Sequence, residues 1–260
     1  MVDLGAELFD RVAADYDREV PFFATFGRRL VQWVAPEPGS RVLDLGAGRG
    51  AVTAALVAAG CSVVAGDVSS AMLDGLREAL PGVDARVLDA RRLELPDASF
   101  DVVLSGFLVH VLDADAVFAE VARVLKPGGV FAFSVPGPSA DGGWWAAYGR
   151  IVDEFTRRVG EVTRHEPVTW GERAGRVGLR HGGRIGTEAS FPVDGPEACW
   201  SWLMSHGNRW LYDALPPVDR DAFRARVLRS LREDHPTGGV DLVAGAEFYH
   251  FRQGRVGPVD

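Results

Sequence analysis

Short apolar runs recur through the first half of the chain, and stretches with apolar residues at helical spacing separate them. Arg41–Leu45, Cys61–Ala65, Ala85–Ala90, Asp101–Ser105 and Val130–Val135 read as strands. Most are nearly all apolar, as strands covered on both faces should be. Between them, Ala51–Ala59 reads as a helix ended by Gly60. A second helix, capped by Ser69 or Ser70, runs through Leu80 with Met72, Leu73, Leu76 and Leu80 on one face. A third starts at Asp113 and carries Val117, Val121, Val124 and Leu125. Pro36-Glu37-Pro38-Gly39, Pro81-Gly82, Pro96-Asp97 and Lys126-Pro127-Gly128-Gly129 break the segments. This alternation predicts an α/β fold with a doubly wound parallel sheet and right-handed crossovers.

Both flanks depart from that rhythm. Residues 7–33 are helical in pattern but aromatic, with Phe9, Tyr16, Phe22, Phe23, Phe26 and Trp33 among charged positions and Pro21 as a break. They either fold over a site as a lid, with Tyr16 as the lid residue, or pack on the sheet edge. After Pro136 come six of the seven tryptophans, at 144, 145, 170, 200, 202 and 210. Here the pattern predicts a helix over Gly143–Val159, a short one before Gly182-Gly183, and a strand over Arg184–Phe191. An aromatic helix over Pro196–Leu215, an amphipathic one over Pro217–Asp234 and a final strand over Val240–Phe251 follow. The tryptophans serve as the wall of a pocket for a flat or lipophilic ligand, the favoured reading, or as plain core. No internal repeat is visible.

The 260 residues suit one domain. It divides into a lid (1–35), a ligand-binding core (36–135), a cap region (136–239) and a closing strand (240–260). A net charge of −8 argues against a nucleic-acid partner. Arg224, Arg226, Arg229 and Arg232 recur at helical spacing and read as a solvated face. Cys61 and Cys199 make neither a disulfide framework nor a metal pair and suit a reducing cytoplasm. Asp3 and Glu7 replace the basic start of a secretory signal, and no apolar stretch nears the roughly 18 residues that span a bilayer, so a soluble protein without a membrane partner is expected.

The stretch Val42-Leu43-Asp44-Leu45-Gly46-Ala47-Gly48-Arg49-Gly50 carries the chemistry. A strand runs into a glycine-rich turn and then a helix whose free N–H groups face a ligand. Asp44, two residues before the first glycine, would repel a pyrophosphate and attract a ligand bearing an ammonium and a sulfonium, which points to S-adenosylmethionine. Asp67 follows about 20 residues later, where an acid accepts hydrogen bonds from ribose hydroxyls. Asp89 is read as a third acid at a strand end.

As an ordered set, Phe9-Asp10-Arg11-Val12-Ala13-Ala14-Asp15-Tyr16-Asp17, the glycine turn, Asp67, Asp89-Ala90, Phe100–Ser105 and Leu125-Lys126-Pro127-Gly128-Gly129 resemble the class I S-adenosylmethionine-dependent methyltransferases. The likeness is strongest to the branch that acts on quinone precursors and small metabolites. It implies strand order 3-2-1-4-5-7-6 with strand 7 antiparallel and a helical cap before the last strand. It also implies that Gly46, Ala47 and Gly48 lie against the methionine part, Asp67 on the ribose, and Asp89 and the Ala90 amide by the adenine amino group. Val68 and Met72 would sandwich the adenine. Ser105, just past the fourth strand, would meet the ammonium through its backbone, and Tyr16 the carboxylate or sulfonium side.

Methyl transfer is an in-line displacement that needs alignment and exclusion of water rather than a metal. The histidines at 110, 165, 181, 206, 235 and 250 form no spaced cluster, so no metal site is expected. A G-x-S-x-G nucleophile motif is absent. If the acceptor is a hydroxyl or acidic carbon, His110 and His206 are the candidate bases. The alternative is packing for His110, and a helix-end ring satisfied by backbone or water for His206. The expected activity is methylation of a small hydrophobic or aromatic metabolite, at oxygen before carbon or nitrogen. The rivals are a nicotinamide-dependent oxidoreductase, which Asp44 and Asp89 disfavour, and a protein that keeps the donor as scaffold or regulator. Whether the chain forms a homo-oligomer is left open.

Overall fold

Strand β1 (Arg41–Leu45) has four consecutive buried residues, Val42 to Leu45, because helices cover both of its faces. The computed structural model describes residues 5–18, 20–139, 143–159 and 169–254; His165 lies outside them. Ahead of β1 come α1 (Ala6–Val12) and α2 (Phe22–Val34), parted at Pro21. The core continues through α3 (Ala51–Ala58), β2 (Ser62–Asp67), α4 (Ser70–Ala79), β3 (Asp84–Val87) and β4 (Phe100–Gly106). A single 3-10 turn at Val109–Val111, α5 (Ala114–Val124) and β5 (Leu125–Gly137) complete it. Ser69 and Asp113 cap α4 and α5 through their side chains, as the spacing predicts.

Beyond β5 lie α6 (Gly143–Val159), α7 (Trp170–Arg176), β6 (Leu179–Val193), α8 (Gly195–Met204), α9 (Arg209–Ala214), α10 (Pro217–Asp234) and β7 (Val240–Gln253). The seven strands form one sheet in the order β3-β2-β1-β4-β5-β7-β6, and β7 runs antiparallel to both of its neighbours. The cap helices α8 to α10 are inserted between β6 and β7, the strands of the long C-terminal hairpin. One apolar core, with Leu30, Leu56, Leu104 and Phe248, continues into the cap through Leu203 and Phe223. On the other face Leu43, Val103, Phe118, Phe131 and Phe251 pack together. None of the described helices is long and apolar enough to cross a membrane.

Strands β5 (from Leu125) and β6 (from Leu179) start earlier than expected, and three further differences from the sequence expectation bear on the cavity. Strand β3 stops at Val87: Asp89 accepts the Arg91 amide at 2.9 Å and folds the chain into a turn, so this acid lies past the strand end. Strand β4 runs one residue further than expected, through Gly106, which places Ser105 inside it rather than at its end. The aromatic helix is two helices, because Trp202 carbonyl accepts from Ser205 Oγ (2.7 Å) and His206 Nδ1 (2.8 Å), local bonds that compete with helix continuation.

Candidate active site

Gly46 (φ +75°) and Gly48 (φ +53°) occupy the left-handed region, which turns the chain sharply as it leaves β1. The Asp67 carboxylate, at the end of β2, accepts the Gly48 amide at 2.8 Å and the Ser69 amide at 2.9 Å. One acid therefore ties the turn to the start of α4. Burial raises its pKa above the ordinary value, and the amide bonds offset part of that.

From this corner a cavity of about 750 Å³ runs along the carboxyl ends of the strands, enclosed by residues of α1, α2 and the cap. At its β2–β3 end, Val68, Met72, Leu88, Asp89 and Ala90 form the wall. Val68 is 38% exposed, whereas Met72 and Ala90 are buried. Asp89 faces a forked Arg91, with Nη2 at 2.9 Å, and that guanidinium holds its carboxyl below the usual range.

Tyr16 borders the cavity from the segment between α1 and α2, stacked on Phe23 with ring centroids 4.7 Å apart. Its neighbour Asp17 fixes that segment by accepting the Phe23 (3.0 Å) and Ala24 (2.9 Å) amides at the start of α2. Burial pushes the Asp17 carboxyl up to about 6.

Three expected contacts lie off this wall. Asp44 is fully buried beneath the turn, where it accepts the Thr53 hydroxyl; its Oδ1 has no partner among the described residues, and burial pushes its pKa up to about 7. Ala47 lines a smaller adjoining cavity of about 410 Å³ between α2 and α3. Ser105 is buried with its hydroxyl donated to Leu45 carbonyl at 2.8 Å, and the backbone that reaches the cavity is Gly106-Phe107. This corrects the placement of Ser105: its bond to the neighbouring strand draws it into the sheet.

The β5–β7 end is aromatic. Phe22, Phe107, Trp145, Tyr148, Trp202 and Trp210 contribute to its wall, so the tryptophans divide between pocket and core. Trp144 and Trp200 are core, and Trp170 packs against Phe118 and Phe133 on the opposite face. Asp67, Asp89 and Arg91, the acids and arginine on the described cavity wall, all belong to the β2–β3 end.

His110 sits in the 3-10 turn with its surface exposed to the cavity. The surrounding walls push its pKa down, to about 4. Water in the open cavity relieves part of that depression, and a ligand filling the cavity restores it. His206 is buried and its pKa is likewise pushed down to about 4 by burial. Its ring lies 4.7 Å from Trp202 and 5.8 Å from Phe23 between centroids, and Asn208 Nδ2 is 3.0 Å from Nε2. No group of three or more His, Cys, Asp or Glu residues among the described residues could hold a metal.

Sequence reasoning missed Phe107, Tyr148 and Asn208. Phe107 has φ +53°, a strained value for a bulky residue, and its amide donates to Ser134 Oγ at 3.1 Å. Nothing local marks it in the sequence.

A family model described as a methyltransferase domain matches residues 43–133. Nocamycin O-methyltransferase of Saccharothrix syringae is 31% identical over 258 residues, covering 89% of this chain and 92% of that protein. Aklanonic acid methyltransferase of a Streptomyces species is 32% identical over 175 residues, covering 63% and 77%. Among solved structures, the YcgJ protein from Bacillus subtilis superimposes with a TM-score of 0.58 at 19% identity, covering 90% of this chain and 100% of that one.

Proposed function

The chain belongs to the class I S-adenosylmethionine-dependent methyltransferases, and we propose that it methylates a small, uncharged, flat hydrophobic or aromatic metabolite at oxygen. The observation that carries this reading is the separation of charge along the cavity. The acids and the arginine lie at the β2–β3 end, and the far end presents aromatic rings with neutral polar groups. Among the described residues, a phosphorylated or carboxylated acceptor would meet no arginine or lysine there. The name of the nocamycin relative agrees with transfer to oxygen, whereas the aklanonic acid relative is named for an acid and supports only a small-metabolite acceptor.

The residues at the first end fit the donor. Gly46 and Gly48 leave room for its methionine part, the Asp67 carboxylate offers ribose hydroxyls an acceptor, Val68 and Met72 flank the adenine, and Asp89 faces its amino group. When bound, the donor supplies an electrophilic methyl carbon on a sulfonium. Phe22, Trp145 and Trp202 hold the acceptor oxygen in line and exclude water. His110, unprotonated at neutral pH, takes the proton that the acceptor hydroxyl gives up.

Incubation with methyl-labelled donor and fractionated small-molecule extracts tests this. The label is expected in an uncharged, solvent-extractable product as an O-methyl group, identified by mass spectrometry and carbon NMR. Label confined to amines or phosphate esters would overturn the acceptor class.

A further inference from the structure

Two of the polar side chains at the aromatic end of the cavity hold each other. Trp202 carbonyl can only accept, so the His206 nitrogen 2.8 Å from it, Nδ1, carries a proton. Buried among rings, His206 is neutral at pH 7, which leaves Nε2 as a bare lone pair. Asn208 Nδ2 lies 3.0 Å from that lone pair. A lone pair receives a hydrogen bond only from the N–H side of an amide, since the opposite orientation would set Asn208 Oδ1 against it. The backbone carbonyl thus fixes the histidine tautomer, and the tautomer fixes the amide.

The remaining atom is Asn208 Oδ1. It does not cap α9, has no partner among the described residues and is not buried. It belongs to a half-buried side chain on the cavity wall, beside His206 and Trp210. We propose that Asn208 is a specificity-determining residue: its carbonyl oxygen accepts a hydrogen bond from an O–H on the flat acceptor, and His206 is the positioning residue that holds the amide in that orientation. This rests on the cavity reading given above and narrows its acceptor class from aromatic to hydroxylated aromatic. It also removes His206 from proton transfer, because its one lone pair is already occupied.

The test uses 2,6-dihydroxynaphthalene and its monomethyl ether, two flat uncharged probes that each offer one O–H to His110 and differ by a second O–H donor. Each is titrated calorimetrically into the full chain saturated with S-adenosylhomocysteine. The wild type is expected to prefer the diol roughly tenfold, the worth of one hydrogen bond in a partly exposed site. Asn208→Leu is expected to bind both probes equally. His206→Phe keeps a ring against Phe23 and Trp202 but frees the amide, so the preference shrinks. Both variants are expected to bind S-adenosylhomocysteine as the wild type does, and nitrogen NMR at pH 7 is expected to show Nδ1 protonated and Nε2 bare. The reverse tautomer, equal binding by the wild type, or a preference that survives in Asn208→Leu would overturn the assignment while the aromatic cavity stands. Failure of both probes to bind would overturn the cavity reading and this proposal with it.

Discussion

Arg11 of α1 and Asp213 of α9 form a 2.9 Å ion pair, so two helices that border the cavity from opposite ends of the chain are joined directly. The preceding residue, Asp10, accepts the Ser69 hydroxyl at 2.6 Å at the start of α4. Adjacent residues of one helix therefore pin it to both banks of the cavity. The ion pair is partly exposed, and Arg11→Ala is expected to change global stability by less than about 1 kcal/mol. Release of S-adenosylhomocysteine, measured by stopped flow, is expected to become several-fold faster in that variant. In the wild type the release rate should rise with salt, which screens the pair. A salt-independent wild-type rate would exclude the ion pair as a latch.

Asp67 accepts backbone amides from both the glycine turn and the start of α4, and in the proposed complex it also accepts from the ribose. Asp67→Ala is expected to weaken donor binding by roughly 1.5–3 kcal/mol, the range for hydrogen bonds to a charged group. Calorimetry that returns wild-type affinity would remove Asp67 from the donor site.

The β2–β3 end was more legible in the sequence than the rest. Glycine spacing, an acid at a strand end and the apolar face of α4 are local signals, and they locate Gly46, Asp67 and Met72 without tertiary information. Asp89 was misplaced relative to its strand because the bond that decides that end, Arg91 to Asp89, is invisible to apolar periodicity. At the other end little is local. His206 and Asn208 acquire their arrangement from a helix break that the aromatic pattern hides. The left-handed backbone of Phe107 leaves no mark on composition at all.

His110 borders the cavity and its pKa lies below the ordinary value, so its ring is the free base across the neutral range. His110→Ala is expected to lower kcat by about 100-fold, the lower end of general-base effects, with donor affinity little changed. The wild-type rate should stay flat from pH 8 down through neutrality, and fall only as the pH nears about 4, where the ring takes up a proton. Wild-type kcat in the variant would leave His110 a packing role alone.

Asp44 places a carboxylate beneath the turn at a cost to the empty protein. Burial raises its pKa from 3.8 to about 7, so between those values the folded chain holds a proton that the unfolded chain has released. Stability therefore falls as pH rises through that window, by up to roughly 4 kcal/mol from this group. Asp17 and Asp67 are raised too and add to the same slope. Asp44→Asn can still accept the Thr53 hydroxyl but carries no charge to desolvate. Denaturant unfolding without donor is expected to show the wild type clearly less stable at pH 8 than at pH 5, and the variant with a smaller difference. Donor binding should offset this loss. A cationic ligand above the turn favours the ionised acid, so the wild type gains more stability from S-adenosylmethionine at pH 8 than the variant does. If both proteins keep the same pH slope and the same donor-induced gain, Asp44 is a packing residue and its charge plays no part in selecting the ligand.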